Sequence, residues 1–335
     1  MALIIPKNYV SALSLRETEA AIHELKTCYE RELARGLNLV KISAPLFVRP
    51  ESGLNDYLNN IERAVEFSIR DLNESRVEIV HSLAKWKRKA LLRYEFSPGE
   101  GIYTDMNAIR RDEELSNLHS IYVDQWDWEK VITREQRTLP FLKDTVIRLY
   151  ETMRRTEEKL AGVYPDLTPT LPQEIFFITA QELEDRYPHL PAKEREHSIT
   201  REKGAVFLMQ IGGRLNSGTP HDGRAPDYDD WSLNGDILFW YPLLNRSMEM
   251  SSMGIRVDAA TLSRQLQESG CLDRSNLEYH RMLLQGQLPQ TIGGGIGQSR
   301  LCMFILKKAH IGEVQAAIWP EHTISACRRA QIELL

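Results

Sequence analysis

Gly293-Gly294-Gly295-Ile296-Gly297-Gln298-Ser299-Arg300 runs straight into an apolar stretch, Leu301-Cys302-Met303-Phe304-Ile305-Leu306. The glycines read as a turn that opens a final helix. Without a Cβ, such backbone can approach a ligand closely. Arg300 adds a flat cation that keeps its charge. Together they suit a floor for a purine and a clamp for phosphate. The same stretch excludes two nucleotide-binding folds. A P-loop ends in Gly-Lys-Ser/Thr, which Gln298-Ser299-Arg300 does not supply. A dinucleotide fingerprint opens a strand–helix–strand unit with an acidic residue about 20 residues on, and too little chain follows Gly297 for that domain. A glycine-rich turn can also be plain geometry. The nucleotide reading gains from a second element far upstream, Arg110-Arg111-Asp112-Glu113.

The chain has 335 residues, 42% hydrophobic and 27% charged, with a net charge of −5. The composition is that of an ordinary globular protein, and the acidic balance argues against a dedicated nucleic-acid binder. The local basic cluster Lys85-Trp86-Lys87-Arg88-Lys89 reads mainly as a solvated helix face. Cys28, Cys271, Cys302 and Cys327 are scattered, with no metal-ligand spacing between any pair. Free thiols in a reducing, cytoplasmic setting are the simplest reading. Residues 1–6 lack a basic region followed by a long apolar core, so no secretory signal is expected. No apolar run reaches the roughly 18 residues of a membrane span.

Ser14-Leu15-Arg16-Glu17 has the form of a capping box. A helix follows, with Ala21, Ile22, Leu25, Tyr29 and Leu33 at three- and four-residue steps and Gly36 as its stop. Residues 39–48 read as extended, and Pro45 inside them confines the strand to an edge or interface. Residues 65–69 and 77–80 read as strands, and 83–93 as a helix. Residues 101–104 and 121–129 form a hairpin that encloses a polar loop, 110–117. Alternation in its second strand puts Val123, Gln125 and Asp127 on one face. A helix over 139–160 precedes strands at 174–179 and 205–211. A loop over 212–231 carries Arg224, Asp227, Asp229 and Asp230. Short strands at 236–241, 248–251 and 255–257 follow, and helices at 260–268, 275–285 and 298–308 close the chain. This order predicts an α+β fold, a mainly antiparallel sheet flanked by helices, in one domain over residues 1–335.

Three pieces stand in a recognisable order: a long helix running into the strand with Pro45, a hairpin carrying Arg110, and a glycine-rich turn with Arg300. They resemble the signature motifs of the class II aminoacyl-tRNA synthetase catalytic core. The closer likeness is to the ammonia-dependent, A-type asparagine synthetases (aspartate–ammonia ligases). It is carried by His81-Ser82-Leu83-Ala84-Lys85-Trp86-Lys87-Arg88, Tyr122-Val123-Asp124-Gln125-Trp126-Asp127-Trp128-Glu129, Arg224-Ala225-Pro226-Asp227-Tyr228-Asp229-Asp230-Trp231 and Ser251-Ser252-Met253-Gly254-Ile255-Arg256-Val257-Asp258. The run from Gln290 to Arg300 completes it. The likeness covers nearly the whole chain.

The resemblance implies an ATP-dependent ligase that turns L-aspartate and ammonia into L-asparagine through β-aspartyl-AMP, releasing AMP and pyrophosphate. It makes Arg110, Asp56 and Gln125 the catalytic group. Arg110 would grip the α-phosphate with parallel hydrogen bonds, because fixed cations must offset charge building on the phosphorus oxygens. Asp229, Gly295, Gly297 and Arg300 would join the ATP site, with Arg300 over the adenine. Asp236 and Glu249 would hold Mg²⁺, which takes one or two carboxylates plus substrate phosphates. The L-aspartate shell would be Asp56, Ser82, Lys87, Gln125, Asp127, Arg224, Ser251, Ser252 and Arg256. Within it, Asp127 suits the ammonium, and Lys87 and Arg256 suit a carboxylate. The Pro45 strand implies a homodimer. The nucleophile is a carboxylate already ionised near neutral pH, so His81 reads as a hydrogen-bonded packing residue and His119 as a neighbour of the adenine edge.

Three rivals are weighed against this. A tRNA synthetase would need an anticodon-binding domain for which the chain has no room. A glutamine-dependent synthetase would need a nucleophilic cysteine where Ala2 stands. A catalytically silent synthetase-like sensor of aspartate or AMP would not need Arg110, Asp236, Glu249 and Arg300 together.

Overall fold

The computed structural model describes residues 3–58 and 62–335. Met1 and Ala2, which enter the signal and ammonia-donor readings, lie outside them. The capping box forms: Ser14 Oγ accepts from the Glu17 N–H, and the Glu17 carboxylate accepts from the Ser14 N–H at 2.9 Å. It starts α1 (Leu15–Leu37), whose stripe of Ala21, Ile22, Leu25, Tyr29 and Leu33 is buried. The helix runs past Gly36 and stops at Asn38, which takes the left-handed conformation with φ 59°.

The extended segment after α1 splits in two. β1 (Leu39–Lys41) and β2 (Phe47–Val48) belong to different sheets, and Pro45 lies in neither. β2 joins β3 (Glu66–Ile69) and β4 (Ser75–Ile79) in a three-stranded antiparallel sheet ordered β2-β4-β3. The large sheet contains β1, β5 (Gly101–Ile109), β6 (Tyr122–Val131), β7 (Phe176–Thr179), β8 (Ala205–Met209), β9 (Asp229–Tyr241), β10 (Arg246–Arg256) and β11 (Thr291–Gly297). Its order is β1-β5-β6-β11-β10-β9-β8-β7. Only the marginal pairs β1/β5 and β7/β8 are parallel, and β1 is the expected edge.

The glycine stretch is a strand, not a turn. β11 pairs antiparallel with β6 on one side and β10 on the other, and the helix begins only at Gln298. Glycine is depleted in strands, so local propensity pointed the wrong way. Close approach by the neighbouring strands overrides it. The two short strands expected over 248–257 are one strand, β10. Asp229 and Asp230 open β9 and do not sit in a loop. Register shifts between Glu249 and Ser251 and between Gly254 and Arg256 explain the broken pattern. Such bulges re-aim side chains beside functional sites.

One face of the large sheet packs on α1, α3 (Leu139–Val163) and the helix Gln298–Ile305 through Trp126, Trp128, Phe239, Met253, Ile292 and Phe304. Each large apolar side chain removed from water there contributes roughly 1.5–3 kcal/mol. The other face carries α2 (Ala84–Arg93), with Leu83, Met106, Val257, Leu262 and Tyr279 in a second core. Side chains alternate across a strand, so Trp126 and Trp128 fill the first face while Gln125, Asp127 and Glu129 project to the second.

Candidate active site

A cavity of about 480 Å³ opens on the second face, and every expected site residue lines it except Arg224 and Asp236. Its floor is β11. A Cβ on Gly295 would come within 2.5 Å of Gln125 Oε1 and 2.7 Å of Asp127 Oδ1. Glycine there is what lets both polar groups reach over the neighbouring strand. Asp127 Oδ2 meets Lys87 Nζ at 3.0 Å, while Asp127 Oδ1 is buried with no hydrogen-bond partner. Lys87 also donates to the Gly294 carbonyl at 2.9 Å. Burial depresses the Lys87 ammonium below the usual lysine range, against the opposing pull of Asp127.

The basic cluster on α2 is not a solvated face. Lys85, Lys87 and Arg88 are each 1% exposed. Arg88 donates to the carbonyls of Pro289 (2.8 Å) and Val257 (2.7 Å). Lys85 donates to Asp227 Oδ2 at 3.0 Å, where Arg274 (3.2 Å) and His280 (2.9 Å) converge. Burial opposes the charge on Asp227, but Lys85, His280 and Arg274 outweigh it and hold the carboxyl far below the usual range. Lys89 alone stays part-exposed, against Glu278; a sequence stretch of four cations cannot show that distant carboxylates and carbonyls will enclose three of them.

Arg256 lies at the far wall. Its Nε and Nη2 bond Glu129 at 2.9 and 2.7 Å, and its Nη1 bonds Asp229. It is therefore engaged by protein carboxylates, and Asp229 belongs to this buried network. Glu129 was missed, although the alternation that paired Gln125 with Asp127 extends to it. Burial opposes its ionisation, yet Arg256 and Lys87 keep Glu129 below the usual carboxylate range.

At the other end, Arg110 makes no ion pair with Asp112, which accepts from Arg63 instead (3.0 Å). Arg110 Nε is buried without a partner. Arg300 Nη1 donates to the Glu249 carbonyl at 3.0 Å. His119 lines the cavity beside them, and burial, with Arg300, pushes its pKa down to about 3. Arg224 does not line the cavity and bonds Asp236 Oδ2. Asp236 Oδ1 is buried without a partner, and Ser252 pairs with Asp236 across β9 and β10. Burial, reinforced by Glu249 and opposed by Arg224, lifts the Asp236 carboxyl above the usual range. Among the described residues no cluster of three or more His, Cys, Asp or Glu side chains could hold a metal.

Asp56 is 2% exposed and lines the cavity. Its Oδ1 accepts from the Leu58 N–H at 2.9 Å. Burial raises its carboxyl, with Lys85 and Arg110 opposing and Asp227 adding to the shift. Ser82 Oγ accepts from the Ala84 N–H at 3.1 Å at the start of α2, and the Ser251 hydroxyl is buried without a partner. No helix among the described residues is long and apolar enough to cross a membrane.

A family profile described as aspartate–ammonia ligase matches residues 16–331. The aspartate–ammonia ligase of Clostridium tetani is 61% identical over 333 residues, covering 99% of this chain and 98% of that protein. The aspartate–ammonia ligase of Lactobacillus johnsonii is 57% identical over 336 residues, covering both chains fully. Among solved structures, Pyrococcus horikoshii asparaginyl-tRNA synthetase complexed with asparaginyl-adenylate superposes with a TM-score of 0.66. It is 15% identical, with 91% of this chain and 70% of that one covered. Entamoeba histolytica asparaginyl-tRNA synthetase gives 0.63 at 14% identity, covering 90% and 67%. The structural matches show a shared class II synthetase fold.

Proposed function

Because the chain belongs to the aspartate–ammonia ligase family, we propose that the cavity between α2 and β11 is where its reaction runs. The protein is a carbon–nitrogen ligase that makes L-asparagine from L-aspartate and ammonia, with ATP as the co-substrate. The reading is carried by one observation. A buried, unpartnered cationic nitrogen, Arg110 Nε, and a buried, unpartnered anionic oxygen, Asp127 Oδ1, belong to one cavity. That suits a pair of substrates in which a phosphate and an ammonium must be held at once.

L-Aspartate lies against Gly295. Its ammonium meets Asp127 and Gln125, and its α-carboxylate meets Lys87, with Ser82, Ser251 and Ser252 completing the shell. Arg256, already bonded to Glu129 and Asp229, bears on the substrate by holding that wall and by exchanging one partner. The β-carboxylate oxygen attacks the α-phosphorus of ATP, and the bond to pyrophosphate breaks with its electron pair. Two anions must approach in line, so positioning and fixed positive charge do the work. Arg110 holds the α-phosphate, and Arg300 covers the adenine above Gly297. Ammonia then bonds to the β-carbonyl carbon of β-aspartyl-AMP, AMP leaves, and Asp56 takes the surplus proton from nitrogen. Burial makes Asp56 a better acceptor than an exposed carboxylate.

Asp236 fits a Mg²⁺ ligand, because its Oδ1 is buried and has no hydrogen-bond partner. Asp236 and Glu249 would hold the ion, which when bound neutralises phosphate charge, and Arg224 keeps Asp236 aimed in its absence. Residues 1–335 act as one catalytic unit in the cytoplasm, without nucleic-acid or membrane partners. β1, an open sheet edge with Val40 58% exposed, supports pairing of two copies. A monomeric mass by light scattering at micromolar concentration would reject the dimer.

The decisive experiment supplies L-aspartate and Mg-ATP with ammonium, with glutamine, or with neither. Asparagine and AMP with ammonium alone are expected. Binding of aspartate or AMP without turnover in a folded preparation would favour a silent sensor.

A further inference from the structure

His81 lines the cavity beside Asp56 and takes part in none of these steps. The two residues are locked together. Asn55 Oδ1 accepts from the His81 N–H and from the Asp56 N–H, both at 2.9 Å. His81 Nδ1 lies 3.0 Å from the Asp56 carbonyl oxygen. A carbonyl can only accept, so Nδ1 carries a hydrogen, and in the neutral ring Nε2 presents its lone pair. That Nε2 is buried and has no hydrogen-bond partner, on a side chain that is 0% exposed. Leaving a buried acceptor unmade costs roughly 1–3 kcal/mol, which is hard to reconcile with a residue that serves only packing.

The missing partner must be a donor. Phosphates and carboxylates offer acceptors and would meet the Nε2 lone pair unfavourably. The aspartate ammonium already has Asp127. Ammonia has three N–H donors and one lone pair, and it must arrive with that lone pair aimed at a carbonyl carbon. We propose that His81 Nε2 and the Asp56 carboxylate together form the ammonia subsite, an inference that rests on the ligase reading above. Ammonia donates one N–H to His81 Nε2 and a second to Asp56, and its lone pair is left facing the β-carbonyl of the adenylate. As the C–N bond forms, the C–O bond to AMP breaks and AMP leaves with that electron pair. The surplus N–H proton passes to Asp56, and His81 orients the nitrogen throughout.

Two substitutions separate this role from packing. His81→Asn keeps a donor where Nδ1 stands and removes the Nε2 acceptor. His81→Gln puts an amide oxygen near Nε2 and gives up the Nδ1 bond. Two reactions are read in each: aspartate-dependent ATP–pyrophosphate exchange, which needs no ammonia, and asparagine formation against ammonium concentration. In His81→Asn, asparagine formation should fall roughly 10²-fold with a raised KM for ammonium, a loss on the scale of a positioned proton-handling group. Exchange should stay within about threefold. His81→Gln should recover about a tenfold share of that loss. Retained synthesis in His81→Asn, or exchange and synthesis falling together, would overturn the proposal. If the wild type makes no asparagine, the ligase reading fails first. Ring ¹⁵N NMR of the wild type needs no variant to fold: the Nδ1–H tautomer of His81 is expected, and an Nε2–H tautomer would overturn the assignment.

Discussion

Arg256 and Glu129 meet over Gly293. Arg256 Nη2 lies 2.7 Å from Glu129 Oε2, and a Cβ on Gly293 would come within 2.0 Å of the same oxygen and 2.7 Å of Arg256 Nη2. The strand is glycine there because a buried ion pair crosses it. Gly293→Ala must push the pair apart, and breaking a buried pair costs roughly 3–5 kcal/mol. Denaturant titration should show that loss; an unchanged midpoint would mean the pair relaxes freely.

Gly295→Ala acts differently. Its Cβ would strike the ends of Gln125 and Asp127, which are side chains facing the cavity. The expected effect is on substrate. KM for L-aspartate should rise by at least about tenfold, the loss of one or more good hydrogen bonds. Steady-state kinetics with L-aspartate varied will decide it, and an unaltered KM would take Gln125 and Asp127 out of the aspartate site.

Arg110→Ala should lower turnover by roughly 10²–10³, as the loss of a preorganised donor does. Arg110→Lys should restore only part, since an ammonium cannot make two parallel bonds. Pyrophosphate exchange in folded variants is the measurement, and near-normal exchange in the alanine variant would remove Arg110 from the mechanism.

His310 is 1% exposed, its Nδ1 accepts from the Gly312 N–H at 3.0 Å, and burial lowers its pKa to about 4. Its folded pKa lies below the unfolded value of about 6.5. The unfolded chain therefore binds the proton first, and stability present above pH about 6.5 is lost as pH falls toward 4, by up to roughly 3 kcal/mol. Urea unfolding at pH 7.5 and pH 5 should show the drop in the wild type. His310→Asn, which cannot titrate but can still accept, should shrink the drop by His310's share and leave that of His119; an equal drop in both would assign the effect elsewhere.

Several features were readable before any fold was known. Ser14 and Glu17 cap α1 as the spacing says, because a capping box involves only neighbours in the chain. Gln125 and Asp127 share a face because strand alternation is a local property. The burial of Lys85 and Arg88 is not legible along the chain, because the groups that enclose them, Asp227, Pro289 and Val257, are far away in sequence. The same alternation puts Glu129 on the face of Gln125 and Asp127, but only the fold brings Arg256 to it. Arg224 shares a motif with Asp229, yet it bonds Asp236, further along Asp229's own strand, β9.

By itself the sequence determined the α+β class, the family, and many of the residues around the cavity, since periodicity, caps and motif blocks are written in short stretches of chain. Tertiary structure alone decided that 291–297 is a strand between β6 and β10, that Lys85, Lys87 and Arg88 are buried, and that His81, in the cavity lining, keeps an unpartnered Nε2. Each of those depends on which distant groups come within hydrogen-bond reach, and a propensity read along the chain carries no term for that.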